Sequence, residues 1–207
     1  MTTGTVKPRF ILPPLRLGRL YIHPSAAFLP ALIYFFSAGY FVLLVGIAVL
    51  VHELGHYITL RLCGGRVECV KLWLGGVSMV IGELGYTAEA VTALAGPAAS
   101  MLLAVAAAMF GRVFSYAPAY QLSGLSLLFA VFNMLPVFPL DGGRVLFAVA
   151  ARLFGLIPAE RLRLICAVVL TATAVAAGLT VLLRLGSPTL FIAAVALAVC
   201  ASNRGEA

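Results

Sequence analysis

Charge is what this sequence most lacks. Only 10% of its 207 residues are Asp, Glu, Lys or Arg, against about 25% in an ordinary soluble domain. With 63% apolar residues and a mean hydropathy of +1.11, a water-soluble chain of this make-up would expose apolar patches large enough to aggregate. An ordinary soluble domain is therefore excluded, and the bilayer is the natural solvent. Aspartate occurs once, at Asp141, and histidine three times, at His23, His52 and His56. The cysteines Cys63, Cys69, Cys166 and Cys200 form no CxxC pair and no zinc-ribbon spacing. They suggest no disulfide framework and read as small apolar filler. A solenoid-type repeat is also absent. No cleavable signal peptide is expected within the chain, because the apolar stretch behind the basic residues Lys7, Arg9, Arg16 and Arg19 is far too long for an h-region.

What is present is a series of charge-free runs: Leu20 to His52, Ala90 to Gly111, Val113 to Leu140, Leu164 to Leu183 and Leu185 to Asn203. A helix needs about 20 apolar residues to cross the hydrocarbon core. The first run is too long for one crossing and is expected to fold at Ser37-Ala38-Gly39 into helices over roughly 24–37 and 40–62. The sequence thus predicts an all-α polytopic membrane protein with six transmembrane helices, in one domain over 1–207. Residues 1–19 would be a basic cytoplasmic lead-in and 20–203 the membrane core. Between the second and third spans, alternating apolar residues around Gly75-Gly76 predict a short β-hairpin at the interface or inside the bundle, since a sheet edge cannot face lipid. Ala95-Gly96-Pro97-Ala98-Ala99-Ser100 places small residues, which permit close helix contact, in the third span. The fourth span is broken by Pro136, Pro139, Gly142 and Gly143. It is expected to stop near Leu135 and restart near Asp141.

The net charge of +7 follows the same plan. With both termini cytoplasmic, twelve of the fourteen basic residues fall on inner segments, leaving only Arg112 and Arg184 outside. The positive-inside rule accounts for this charge without any nucleic-acid partner. It also places the second span's cytoplasmic half at the same depth as the cytoplasmic end of the fourth.

That depth holds the chemistry. His52-Glu53-Leu54-Gly55-His56 is an HExxH motif in the second span. Residues four apart share a helix face, so both imidazoles reach one metal ion, and neutral imidazole suits Zn²⁺. Glu53, one residue past the first ligand, is placed as general base. Ionisable groups inside a membrane helix are costly, which favours function over a satisfied polar cluster between helices. Catalytic zinc usually takes three protein ligands and keeps one position open. Asp141 is the candidate third ligand; its structural alternative is an N-cap for the following helix. His23, before Pro24, fits an interfacial role better. Asn133 either donates to the scissile carbonyl or bonds backbone freed beside Pro136. Gly75, Gly76 and Pro136 are the candidate substrate-binding positions. Glu83 and Glu89 read as solvated interfacial charges, and Trp73 and Tyr86 as interfacial anchors.

HELGH in one membrane helix, followed some eighty residues later by N-x-x-P-x-x-P-x-D-G-G over Asn133 to Gly143, resembles the site-2 protease family of intramembrane metalloproteases. His23-Pro24, Gly75-Gly76 and Ala95-Gly96-Pro97 extend the resemblance to the sporulation branch of that family, that of stage IV sporulation protein FB. The resemblance implies one Zn²⁺ per chain on His52, His56 and Asp141, Glu53 as catalytic acid/base, and Asn133 near the substrate carbonyl. It implies cleavage of a membrane-tethered protein in or near its membrane segment, a sigma-factor precursor being the sporulation branch's substrate. Further implied partners are the lipid bilayer and membrane regulatory proteins, in a bacterial cell membrane with the site towards the cytoplasm. The sequence carries neither the CBS domain typical of that branch nor a PDZ domain. Two other classes compete, a zinc transporter and an inactive scaffold on the same fold. The first would show inverted repeats or several spaced ligand sites, and the second would often lack Glu53 or a ligand.

Overall fold

The computed structural model describes residues 15–17, 20–22, 31, 39–73, 76–82, 84–138 and 140–185. Two three-residue strands, β1 (Leu15–Leu17) and β2 (Leu20–Ile22), precede helix α1 (Gly39–Leu62). Strands β3 (Val67–Trp73) and β4 (Gly76–Ile81) follow, then helices α2 (Tyr86–Phe114), α3 (Ala117–Asn133), α4 (Asp141–Phe154) and α5 (Leu156–Leu185).

Three of these helices, over Gly39–Leu62, Tyr86–Phe114 and Leu156–Arg184, are long and apolar enough to cross a membrane. They correspond to the expected second, third and fifth spans. The expected fourth span is divided as its prolines and glycines require. The 17-residue α3 ends at Asn133, residues 134–138 are turn and bend, and α4 starts at Asp141. The expected spans over 24–37 and 185–203 lie outside the described residues, Ala31 and Leu185 excepted.

Packing here reverses the pattern of a soluble protein. Among the described residues, eleven of the thirteen buried hydrophobics are alanine, while Leu43, Leu50, Leu62, Leu102, Val113 and Leu183 are each more than 65% exposed. Small residues face neighbouring helices and large aliphatic ones face outward, which is the arrangement a lipid solvent permits. On α1 the buried positions are Ala48, His52, His56 and Leu60, at steps of four along one seam. On α2 they include Thr92, Gly96, Ser100, Ala104, Ala107 and Gly111. A Cβ added at Gly55 would sit 2.5 Å from the Ala95 carbonyl oxygen, so α1 and α2 meet backbone to backbone. Helix α2 is central, packing against α1, α3 and α4, while α5 rests on α4 through Ala150, Ala151 and Ala159.

The expected hairpin is present but belongs to a larger sheet in the order β1-β2-β3-β4. β3 and β4 pair antiparallel, with Trp73 opposite Gly76, and β2 pairs parallel to β3, with Leu20 opposite Val70. Part of the lead-in is therefore strand. The triplets Leu-Arg-Leu and Leu-Tyr-Ile lack the β-branched run that marks a strand, and the β3 partner of β2 lies some fifty residues away. β4 is left as an edge of the sheet.

Candidate metal centre

His52 and His56 are carried on the buried seam of α1, one turn apart, and Asp141 comes from the first turn of α4. All three are buried, at 4%, 7% and 6% exposure. His52 Nε2 and His56 Nε2 each lie 3.1 Å from Asp141 Oδ2 and 3.2 Å from one another. Asp141 does not cap its helix: Leu140 is the N-cap and no side-chain cap bond forms. Its carboxylate turns to the imidazoles instead, while its other oxygen lies 3.7 Å from Arg144 Nη1.

Backbone geometry sets this placement. The turn after Asn133 is closed by the amides of Leu135, Val137 and Leu140, which donate to the carbonyls of Phe132, Leu135 and Val137. Val137 is fully buried. Gly142 and Gly143 lie directly against this turn, with Cβ positions 2.2 Å from the Met134 oxygen and 2.5 Å from the Val137 carbonyl carbon. The two glycines thus bring the start of α4, and with it Asp141, under the end of α3. The Arg163 guanidinium from α5 lies 5.5 Å from the Phe138 ring centroid, adding a contact to the same turn.

The outer ring nitrogens decide what the cluster can hold. His56 Nδ1 lies 2.8 Å from the Thr92 carbonyl oxygen. A carbonyl only accepts, so Nδ1 carries the proton and a neutral His56 presents an Nε2 lone pair inward. That lone pair meets a carboxylate oxygen and a second imidazole nitrogen, a convergence that calls for a cation between them. Tetrahedral ligation at about 2.0–2.1 Å sets ligand atoms roughly 3.3 Å apart, close to the separations found here. The donor set of two imidazoles and one carboxylate therefore fits a zinc ion with a position left open. Among the described residues this is the one group of three or more such side chains able to share a metal ion.

Glu53 is half-buried on α1, next to His52 and 60° around the helix from His56, outside the ligand cluster. Asn133, at the end of α3, donates from Nδ2 to the Phe129 carbonyl at 3.0 Å. That bond goes one turn back along its own helix rather than to backbone beside Pro136. Phe129 in turn borders the site, its ring centroid 5.9 Å from that of His52. Pro136 is half-buried in the turn, Gly76 opens β4, and Gly75, Glu83 and His23 lie outside the described residues. Glu89 is half-buried in the first turn of α2. Sequence reasoning took Ser100 only as a small packing residue, yet its Oγ lies 2.9 Å from His52 Nδ1.

Residues 112–177 match the model of peptidase family M50. The matched segment, less than half of the chain, contains Asn133, Pro136 and Asp141, whereas His52, Glu53 and His56 precede it. A search of the curated proteins gave no match. Among solved structures, the site-2 protease from Methanocaldococcus jannaschii is similar in fold, with a TM-score of 0.71 and 22% identity, covering 93% of this chain and 94% of that one. The family match and the shared fold support a metalloprotease.

Proposed function

We propose that this chain is an intramembrane zinc metalloprotease that hydrolyses a peptide bond in or near the membrane segment of a membrane-tethered protein. The observation that carries this reading is the buried triangle of His52 Nε2, His56 Nε2 and Asp141 Oδ2, with edges of 3.1 to 3.2 Å, reached from helices that an apolar solvent would surround. One zinc ion per chain would be held by these three atoms. Bound there, the metal would polarise the scissile carbonyl and lower the pKa of water to about 7.

The remaining work falls to the chain's own groups. Glu53 takes a proton from the attacking water and returns it to the departing amide nitrogen, one carboxylate serving both steps. It is not needed as a ligand and so stays free for this role. Asn133 is a candidate donor to the substrate carbonyl once substrate displaces its bond to Phe129. A helical substrate has its carbonyls sequestered in hydrogen bonds and must unwind before attack. Among the described residues β4 is a terminal strand of the sheet, on whose outer edge the extended peptide can add as a strand, with Gly75, Gly76 and Pro136 as the other candidate contact positions. The distribution of basic residues supports a site opening towards the cytoplasm of a bacterial cell membrane. The motif resemblance to the sporulation branch makes a membrane-tethered sigma-factor precursor a candidate substrate.

Glu53→Gln tests the reading. It keeps size and hydrogen bonding but cannot accept the proton. The variant should fold, bind zinc and capture substrate, while processing of a co-expressed membrane-tethered precursor falls by at least ~10²-fold, the lower end of general acid–base contributions. Parental processing by Glu53→Gln would exclude this mechanism. A transporter makes no demand for peptide cleavage by any variant.

A further inference from the structure

Helix α2 carries Thr92, Gly96 and Ser100 at steps of four, the same step that separates His52 from His56 on α1. The helices meet antiparallel, so the Thr92 carbonyl falls beside His56 and the Ser100 hydroxyl beside His52. Gly96 lies under the His56 ring, its Cβ position 2.2 Å from Nε2. One face of α2 thus follows both imidazoles from behind.

The two outer contacts differ chemically. The Thr92 carbonyl accepts only, which fixes one tautomer of His56. A hydroxyl both donates and accepts, so Ser100 holds the His52 ring whichever nitrogen carries the proton. Ser100 is 0% exposed, which shuts water out of this contact. A metal on Nε2 requires the proton on Nδ1, and that N–H donates to Ser100 Oγ, 2.9 Å away.

We propose that Ser100 is a positioning residue of the metal site, accepting a hydrogen bond from the His52 Nδ1–H and so directing the Nε2 lone pair at the point shared with His56 and Asp141. The inference rests on the metal-centre reading above. Ser126 on α3 supplies an internal control, because it too is 0% exposed yet its Oγ has no hydrogen-bond partner among the described residues. Loss of a buried serine hydroxyl alone is therefore separable from loss of the bond to His52.

The test uses the full chain in detergent, stripped of metal and reloaded. Zinc affinity is measured by chelator competition, and ligand geometry by the visible absorption of the Co²⁺-loaded protein. Ser100→Ala should weaken zinc binding about 10–100-fold, the range for removal of an outer partner of a metal-bound histidine, and should alter the Co²⁺ spectrum. Ser126→Ala should leave both unchanged. Parental zinc affinity in Ser100→Ala, or an equal loss in Ser126→Ala, would overturn the proposal. If Ser100→Ala does not fold, Ser100→Cys, near in size but a weak acceptor, makes the same comparison, and parental affinity there would overturn it equally. A parent protein that holds no zinc would overturn the metal-centre reading itself, and this inference with it.

Discussion

Gly96 shows how little slack surrounds the ligands. A Cβ there would lie 2.2 Å from His56 Nε2 and 2.5 Å from Cε1. A planar ring bonded at Nδ1 has no flexible end to give way, so Gly96→Ala must either turn the imidazole or push α2 off α1. Overpacking of this kind costs about 1–3 kcal/mol. The expected result is a folded protein with at least ~10-fold weaker zinc binding, about 1.4 kcal/mol; parental affinity would show that the ring has room. Gly46, on the same α1, is the contrast, since a Cβ there meets nothing within 4 Å. Gly46→Ala should leave zinc binding intact and stabilise the helix by up to about 1 kcal/mol, seen as a small rise in thermal midpoint in detergent. The cluster of His52, His56 and Asp141 was legible in the sequence because HExxH has a fixed helical spacing and Asp141 stands alone at a helix break. Gly96 and Ser100 were not legible as part of the site. Their role depends on the register between two helices, which no local pattern records.

At the level of elements, the broken fourth span and the hairpin do different work. Residues 134–138 leave the helix because Pro136 stops α3, and the α4 glycines let that turn lie close. This interruption was legible, since proline and glycine act locally. The pairing of β2 with β3 was not, because it is long-range and set by chain path rather than by propensity. Under the proposed function, the hairpin ending in β4, a terminal strand of that sheet among the described residues, is the element that would meet substrate. Successive N–H groups of a strand point to opposite sides, so proline at Ser78 and, separately, at Met79 removes one donor facing β3 and one facing the open edge. If β4 receives substrate as an added strand, both variants should retain zinc. The variant that loses the outward donor should process a membrane-tethered precursor more slowly while keeping its hairpin. Unchanged processing in both would count against strand addition at this edge.

On the scale of the whole molecule, two independent features concern the same depth. The chain path runs down α1 to Arg61, back along α2 to Arg112, down through α3 and α4 to Arg152, and up α5 to Arg184. Arg112 and Arg184, the two basic residues expected outside, therefore terminate the two helices that lead away from the ligands. Arg61 and Arg152 lie in the last turns of α1 and α4, the end expected to be cytoplasmic under the positive-inside rule. The packing geometry, found without reference to charge, brings Asp141 within 3.1 Å of both histidines. The charge asymmetry is the basis for the proposed orientation, and existing residues test it. Cys63 is exposed just beyond α1, and Ser115 is exposed at the turn between α2 and α3, where its φ of 51° reverses the chain. In a chain whose other cysteines are replaced by alanine, Cys63 should react with a membrane-impermeant thiol reagent only after the cytoplasmic face is opened. A cysteine at Ser115, in a chain also lacking Cys63, should react in intact cells. The reverse pattern would turn the protein over in the membrane, place the metal site towards the outer face, and remove a cytoplasmic precursor from its reach.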